Sequence, residues 1–429
     1  MSATDTSADE ASPTATGAED AGAPGAALWS ANFRRYFGAR TGSLLGDAML
    51  PVALSVGVLD SGYGTAGVGY ALGAWMAALA MGVLFGGVLA DRFTPRRMMV
   101  LADLVRLGIQ GALAVAFALG TPSLAAVVAL QFASGLATAL FQPGVAGLVP
   151  QVAQDVQRAN GALRIAESLA GVAGPALAGV LVSFSGPAVV FAIYATTYGI
   201  SAACLFALRL PPRAGEPAGE SFLRQLVEGW QEFRARSWLW GVISVFLLYG
   251  CFVAGLSLPV GTDLVVAAHG STVLGTGLAA MGVGGLVGGA VAMRLRPARP
   301  LAFGTIGWVL FALYPLTAAV RPDVVVLCVG WGLAGAGLAL WSVLWATTVQ
   351  TQIPGDLLNR VYAYDVAGSL LSMALGRALA GPIARLTGER TLMFASFGVG
   401  LACSAVLLAA PAVRRLRAAG PGGGRPDED

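Results

Sequence analysis

Asp47 lies in an apolar run, "LLGDAMLPVAL" (residues 44–54). A carboxyl at the centre of a lipid bilayer costs roughly 2.5–3.5 kcal/mol on insertion scales, so its presence there asks for a reason. Three readings stand: it carries a proton for coupling, it holds a cationic substrate, or it is a structural acid bonded to neighbouring helices. Arg377 is a second deep charge, suited to an anionic substrate group or to an acid on the first two apolar runs. Asp103 and Arg106 are i,i+3 neighbours on a helix, either part of a gate network or a local ion pair. Arg164 and Glu167 share that spacing, and a structural pair is expected there. Asp365, near the start of a later run, is a further gate candidate. Trp331 and Tyr249 are candidates to line a cavity. Trp341 and Trp345 read as an aromatic belt, and His269 as a solvated loop residue. The densest charge is the knot "GGVLADRFTPRRMM" (86–99), where Gly87, Asp91, Arg92, Arg96 and Arg97 interrupt two apolar segments.

These residues need lipid-spanning elements to position them. The chain is 56% hydrophobic and 11% charged, against about 25% charged in soluble proteins. A mean hydropathy of +0.73 agrees. With about 20 apolar residues needed per crossing, the sequence divides into twelve spans. These are 36–59, 66–90, 98–119, 123–147, 161–183, 187–209, 238–262, 273–293, 300–320, 323–347, 361–384 and 391–413. The expected class is an all-α membrane protein. Its expected parts are an N-terminal tail (1–30), a six-helix bundle (31–209), a linker (210–237), a second six-helix bundle (238–413) and a C-terminal tail (414–429). Within the linker, "SFLRQLVEGWQEFRAR" has the spacing of an amphipathic helix lying on the membrane surface. All 26 basic residues are arginine. Twenty fall on one side of the twelve-span topology, against Arg321, Arg385 and Arg390 on the other. By the positive-inside rule both termini are cytoplasmic.

The halves repeat. "GGVLADR" (86–92) matches "GGAVAMR" (288–294), "AGPALAG" (173–179) matches "AGPIARL" (380–386), and Pro150 matches Pro354, all at offsets between 202 and 207. Parallel repeats of this kind are a transporter architecture. A catalytic reading has no support. There is no P-loop, no nucleophile–base cluster and no metal-ligand set. Cys204, Cys251, Cys328 and Cys403 each fall in an apolar run. No enzyme activity, cofactor or metal is expected.

On these motifs the chain resembles the major facilitator superfamily. The knot is similar to that family's loop between spans two and three, with Gly87, Leu89, Asp91, Arg92, Arg96 and Arg97 matching. Thr94 and Pro95 replace the usual Gly-Arg, so the turn must be made differently. The resemblance implies that Asp91 caps the start of span eleven near Val361, in a cytoplasmic gate joined by the loop arginines. "AGVAGPALAG" (170–179) resembles the family's antiporter motif through Gly171, Gly174, Pro175 and Gly179, and that motif goes with exporters. "GDAMLPVAL" and "LVPQVAQDVQRANGAL" further resemble the bacterial branch that includes the enterobactin exporter and macrolide efflux proteins.

The expectation is a secondary active transporter in the bacterial cytoplasmic membrane. It would perform proton-coupled efflux of a small amphiphilic molecule (drug, siderophore or natural product), with protons as coupling ion. It would act as a monomer, with the bilayer as partner and no nucleic acid. The alternatives are an importer or uncoupled facilitator of a metabolite, and, of another class, a membrane sensor or scaffold that moves nothing.

Overall fold

The computed structural model describes residues 28–120, 122–210, 230–231, 234–320, 323–355 and 357–418, without the side chains of 65–66, 84–93, 271 and 360. Most of the linker, with its expected surface helix, and nearly all of both tails lie outside the described residues.

Among the described residues twelve helices cross the molecule: α1 (Ala31–Asp60), α2 (Gly64–Phe93), α3 (Pro95–Leu119), α4 (Leu124–Val152), α5 (156–185), α6 (187–206), α7 (Ser237–His269), α8 (Ser271–Arg294), α9 (Pro300–Val320), α10 (Val324–Gln352), α11 (Leu358–Thr387) and α12 (Glu389–Ala409). Helices α5 and α6 form one 51-residue run, far longer than one bilayer crossing. The run is divided at Gly186, whose φ of 76° and ψ of 172° are closed to other residues; Pro187 then starts α6. Ten helical runs are apolar and long enough to span as they stand. The break at Gly186 makes eleven, and α2 is the twelfth. No strand occurs among the described residues.

Helix starts follow local rules. Ser30 Oγ accepts the Phe33 amide at 3.1 Å, and Ser123 Oγ accepts that of Ala126 at 3.3 Å. Asp323 Oδ1 accepts the amides of Val325 and Val326. Each such cap is worth about 1 kcal/mol.

Small residues bring the helices together. Cβ atoms on Gly284 and Gly288 of α8 would overlap the backbone of Gly332 and Ala336 of α10, and one on Gly335 would overlap Met281. In lipid, such backbone approach is what holds helices together. Helix α7 widens into a π segment at Gly250–Gly255. There Gly255 and Cys251 lie against the backbone of Met373 and Gly376 of α11. Buried apolar clusters fill α1–α6, and a larger one fills α7 and α9–α12.

The two groups of helices meet through α5 against α8 and α2 against α11. This packing lies toward the terminal face, the one from which both chain ends emerge.

Candidate functional site

Contacts between α5 and α8 climb a ladder of small residues. Gly161 meets Met293. A Cβ on Gly289 would sit 2.9 Å from Ile165 Cγ1, and one on Gly285 would sit 2.5 Å from Ser168 Oγ; Gly282 meets Val172. One helical repeat further the stripe opens: nothing lies within 4 Å of a Cβ on Gly179 of α5 or Gly275 of α8. The other seam behaves alike. Leu79 and Val83 of α2 pack with Val366, Ala367 and Leu370 of α11, whereas Gly381, further along α11, faces open space. The bundles are therefore closed at the terminal face and splayed at the opposite one.

Side chains latch the closed end. Asp155, which caps α5 by accepting the Arg158 amide at 3.0 Å, pairs with Arg296 beyond α8. Gln157 Nε2 donates to the carbonyl of Ala292 at 2.6 Å and to that of Leu295. Asn160 Nδ2 donates to Gln350 Oε1 at 2.7 Å and to Thr347 Oγ1 at 3.1 Å on α10. Gly147 of α4 lies against Asn359 at the start of α11.

Behind this latch is a cavity of about 360 Å³ between the bundles. Its walls carry Arg40, Arg164, Glu167 and Asp365, with Trp341 and Trp345 as an aromatic floor. Arg164 Nη1 lies 3.0 Å from Glu167 Oε2, and Trp345 Nε1 donates to Asp365 Oδ2 at 2.8 Å. The two indoles stack at 5.8 Å. Such a site has oriented charges beside flat apolar surface, the composition that holds an amphiphile.

Asp47 stands one turn above Leu44 on the face of α1 that also bears Arg40. Its Oδ1 accepts two tyrosine hydroxyls from α6, Tyr194 at 2.7 Å and Tyr198 at 2.5 Å. The two hydroxyls are 2.6 Å apart. Tyr198 also receives Arg106 Nη1 at 3.4 Å, and Arg106 Nη2 binds Asp103 Oδ1 at 2.5 Å. Ser201 Oγ donates to Asp103 Oδ2 at 2.6 Å. The Arg106 guanidinium lies 4.2 Å from the Tyr198 ring centre and 4.5 Å from that of Phe141. Two glycines permit this assembly. A Cβ on Gly46 would strike Tyr194 and Thr197, and one on Gly174 would sit 2.5 Å from Ala48 Cβ.

Several sequence expectations move. Asp103 and Arg106 are buried inside the first bundle, about 12 Å along α3 from its start; their partners are on α6, so they stand apart from the latch. Arg96 also turns away from the second bundle: its Nε donates to Leu205 O at 3.1 Å and its Nη2 to Phe206 O, capping α6. The bare carbonyls of a helix end attract a cation. Arg97 is exposed beside it. Trp331 and Tyr249 are not among the residues lining this cavity; both are core residues of the second bundle, Trp331 against Tyr314 at 4.6 Å and Tyr249 bonded to Trp308 O at 2.9 Å. Trp341 and Trp345 take the cavity instead. Of the Gly-Pro motif, Gly174 makes the α1 contact, whereas Gly171 and Gly179 face open space and Pro175 is exposed. His269 ends α7 rather than lying in a loop. Arg377 is exposed on the α11 stripe that carries Val366 and Leu370, where the cleft opens. The side chains of Gly87, Asp91 and Arg92 lie outside the described residues.

Tyr194, Tyr198, Arg40 and the Asp155–Arg296 pair escaped the sequence reading. Tyrosine and loop charges are common in helices and loops, and only the meeting of distant segments singles these out.

Two six-helix bundles closed at one end around a polar cleft define a membrane transporter. The profile of the Major Facilitator Superfamily matches residues 36–269, and the chain belongs to that family; it is a multi-pass transporter and not an enzyme. Enterobactin exporter EntS of Salmonella choleraesuis is 27% identical over 423 residues, covering 91% of this chain and 94% of its own. Multidrug efflux pump Tap of Mycobacterium tuberculosis is 28% identical over 365 residues, covering 80% and 84%. Among solved structures, the human organic anion transporter MFSD10 superposes with a TM-score of 0.70 at 18% identity, covering 88% of this chain and 98% of its own. The E. coli fucose:proton symporter FucP gives 0.65 at 11%, covering 87% and 97%. These last two share the fold.

Proposed function

We propose that this protein exports a small amphiphilic molecule across the bacterial cytoplasmic membrane in exchange for protons, with both termini cytoplasmic and Asp47 as the coupling acid. The observation that carries the reading is the position of Asp47. It is a partly buried carboxyl on the α1 face that also carries the cavity-lining Arg40 and Leu44, joined through tyrosines to a buried ion pair and adjacent to the Ala48–Gly174 contact between α1 and α5. Efflux in two relatives supports the direction. In this orientation the terminal face is cytoplasmic and the structure is outward-open. The bundles, residues 31–209 and 238–413, are the units that rock, and the Asp155–Arg296 latch breaks when the inner side opens.

One proton entering across ~100 mV supplies about 2.3 kcal/mol, and one pH unit adds about 1.4. Together they sustain a substrate gradient on the order of 500-fold, so a single coupling acid is sufficient.

The test uses proteoliposomes holding a trapped pH indicator and a panel of toxic amphiphiles. An active compound evokes proton movement in the wild type, and Asp47→Asn abolishes it at equal protein content. Undiminished proton movement in that variant would refute coupling through Asp47.

A further inference from the structure

We infer that Asp103 cancels the charge of Arg106 and so leaves Asp47 to be neutralised by a single proton, the three groups being linked through the hydroxyl of Tyr198. The inference rests on Asp47 as the coupling acid and concerns what sets its proton affinity.

Three formal charges share one hydrogen-bonded chain: Asp47, Asp103 and Arg106. With both acids ionised the chain carries one net negative charge, and one proton neutralises it. Arg106 never gives up its proton. Asp103 is fully buried and takes bonds from both Arg106 and Ser201, so the pair satisfies itself. Asp47 is the less buried of the two acids and receives only neutral hydroxyls, so the proton binds there. Other charged groups are distant. At this level α5 presents Gly174, with Arg164 and Glu167 about two turns nearer the terminal face; Arg40 lies two turns away on α1. The described side chains of α2 include no acid or base, nor do those of α4. Arg377 faces the cleft from the second bundle.

Removing one buried charge must therefore alter proton binding at a residue it does not touch. Asp103→Asn leaves Arg106 balanced by ionised Asp47, and the drive to take up a proton falls. Tyr198→Phe keeps the ring and the ion pair but cuts the link, and that drive rises.

The test is infrared titration of the purified protein in detergent, following the protonated-carboxyl band that Asp47→Asn removes. No substrate is needed. The expected midpoint in Asp103→Asn moves to lower pH by about one unit or more. Asp103→Asn with Arg106→Gln, which restores the net charge, brings it back, and Tyr198→Phe moves it to higher pH. A pair that only braces α3 against α6 would lower thermal stability without moving the midpoint. Unmoved midpoints in well-folded Asp103→Asn and Tyr198→Phe overturn the inference, as does the absence of any band lost in Asp47→Asn. If the midpoints move as stated but transport stays coupled in Asp47→Asn, the transport role of Asp47 fails instead.

Discussion

Gly46 lies against Tyr194 so closely that even a methyl group would overlap the tyrosine ring. The hydrogen at this position is what lets α6 bring two hydroxyls onto the next residue, Asp47. Gly46→Ala forces α1 from α6 and stretches those bonds. Overpacking of this kind costs about 1–3 kcal/mol. Thermal denaturation in detergent should report that loss, and compound-evoked proton flux should fall further than the folded fraction does.

Arg296 is half-exposed and Asp155 partly so, and a pair so placed is worth up to ~1 kcal/mol. Reversing the charge in Arg296→Glu adds repulsion and shifts the balance toward the inward-open state by about 5-fold or more. Spin labels at positions 154 and 298, with the native cysteines replaced, should show a longer distance population. An unchanged distance distribution would remove this pair from the latch.

Trp345→Phe keeps the stacked ring and deletes the donor to Asp365. A buried acceptor left without its donor costs about 1–3 kcal/mol. The apparent KM for an active compound should change while proton-to-substrate stoichiometry holds, because the network at Asp47 is untouched. A lost stoichiometry would assign Asp365 to coupling.

Thr94 has φ 67° and ψ 139°, the one positive φ outside glycine among the described residues. It occupies the turn where the family usually has glycine, and Pro95 follows as the first residue of α3. Such a backbone costs of order 1–3 kcal/mol in a residue with a Cβ. Thr94→Gly should raise the melting temperature by a few degrees. A fall would show that the threonine side chain stabilises the turn.

Much of this was readable in the chain. The spans read as 187–209 and 300–320 correspond to α6 and α9, because apolar length is a local property. The gap between the spans 161–183 and 187–209 falls where Gly186 and Pro187 divide the long helical run. Asp47 stood out because a charge in an apolar run is rare. The rest was hidden for one reason. The i,i+3 spacing of Asp103 and Arg106 leaves a gate role and a local ion pair both open, and the residue type of Trp331 only suggests a cavity; neither spacing nor type says which side of a helix meets which neighbour.

Hydrophobic length, arginine placement and the internal repeat by themselves determined a twelve-span transporter, because a bilayer tests each segment separately for apolar reach and charge. The union of Asp47 with Tyr198, Arg106 and Asp103, and of Asp155 with Arg296, was decided only by tertiary structure. These groups lie 141 to 151 residues apart at their longest links, and the close approach of neighbouring helices at Gly46, Gly174 and Gly289 sets which of them can touch.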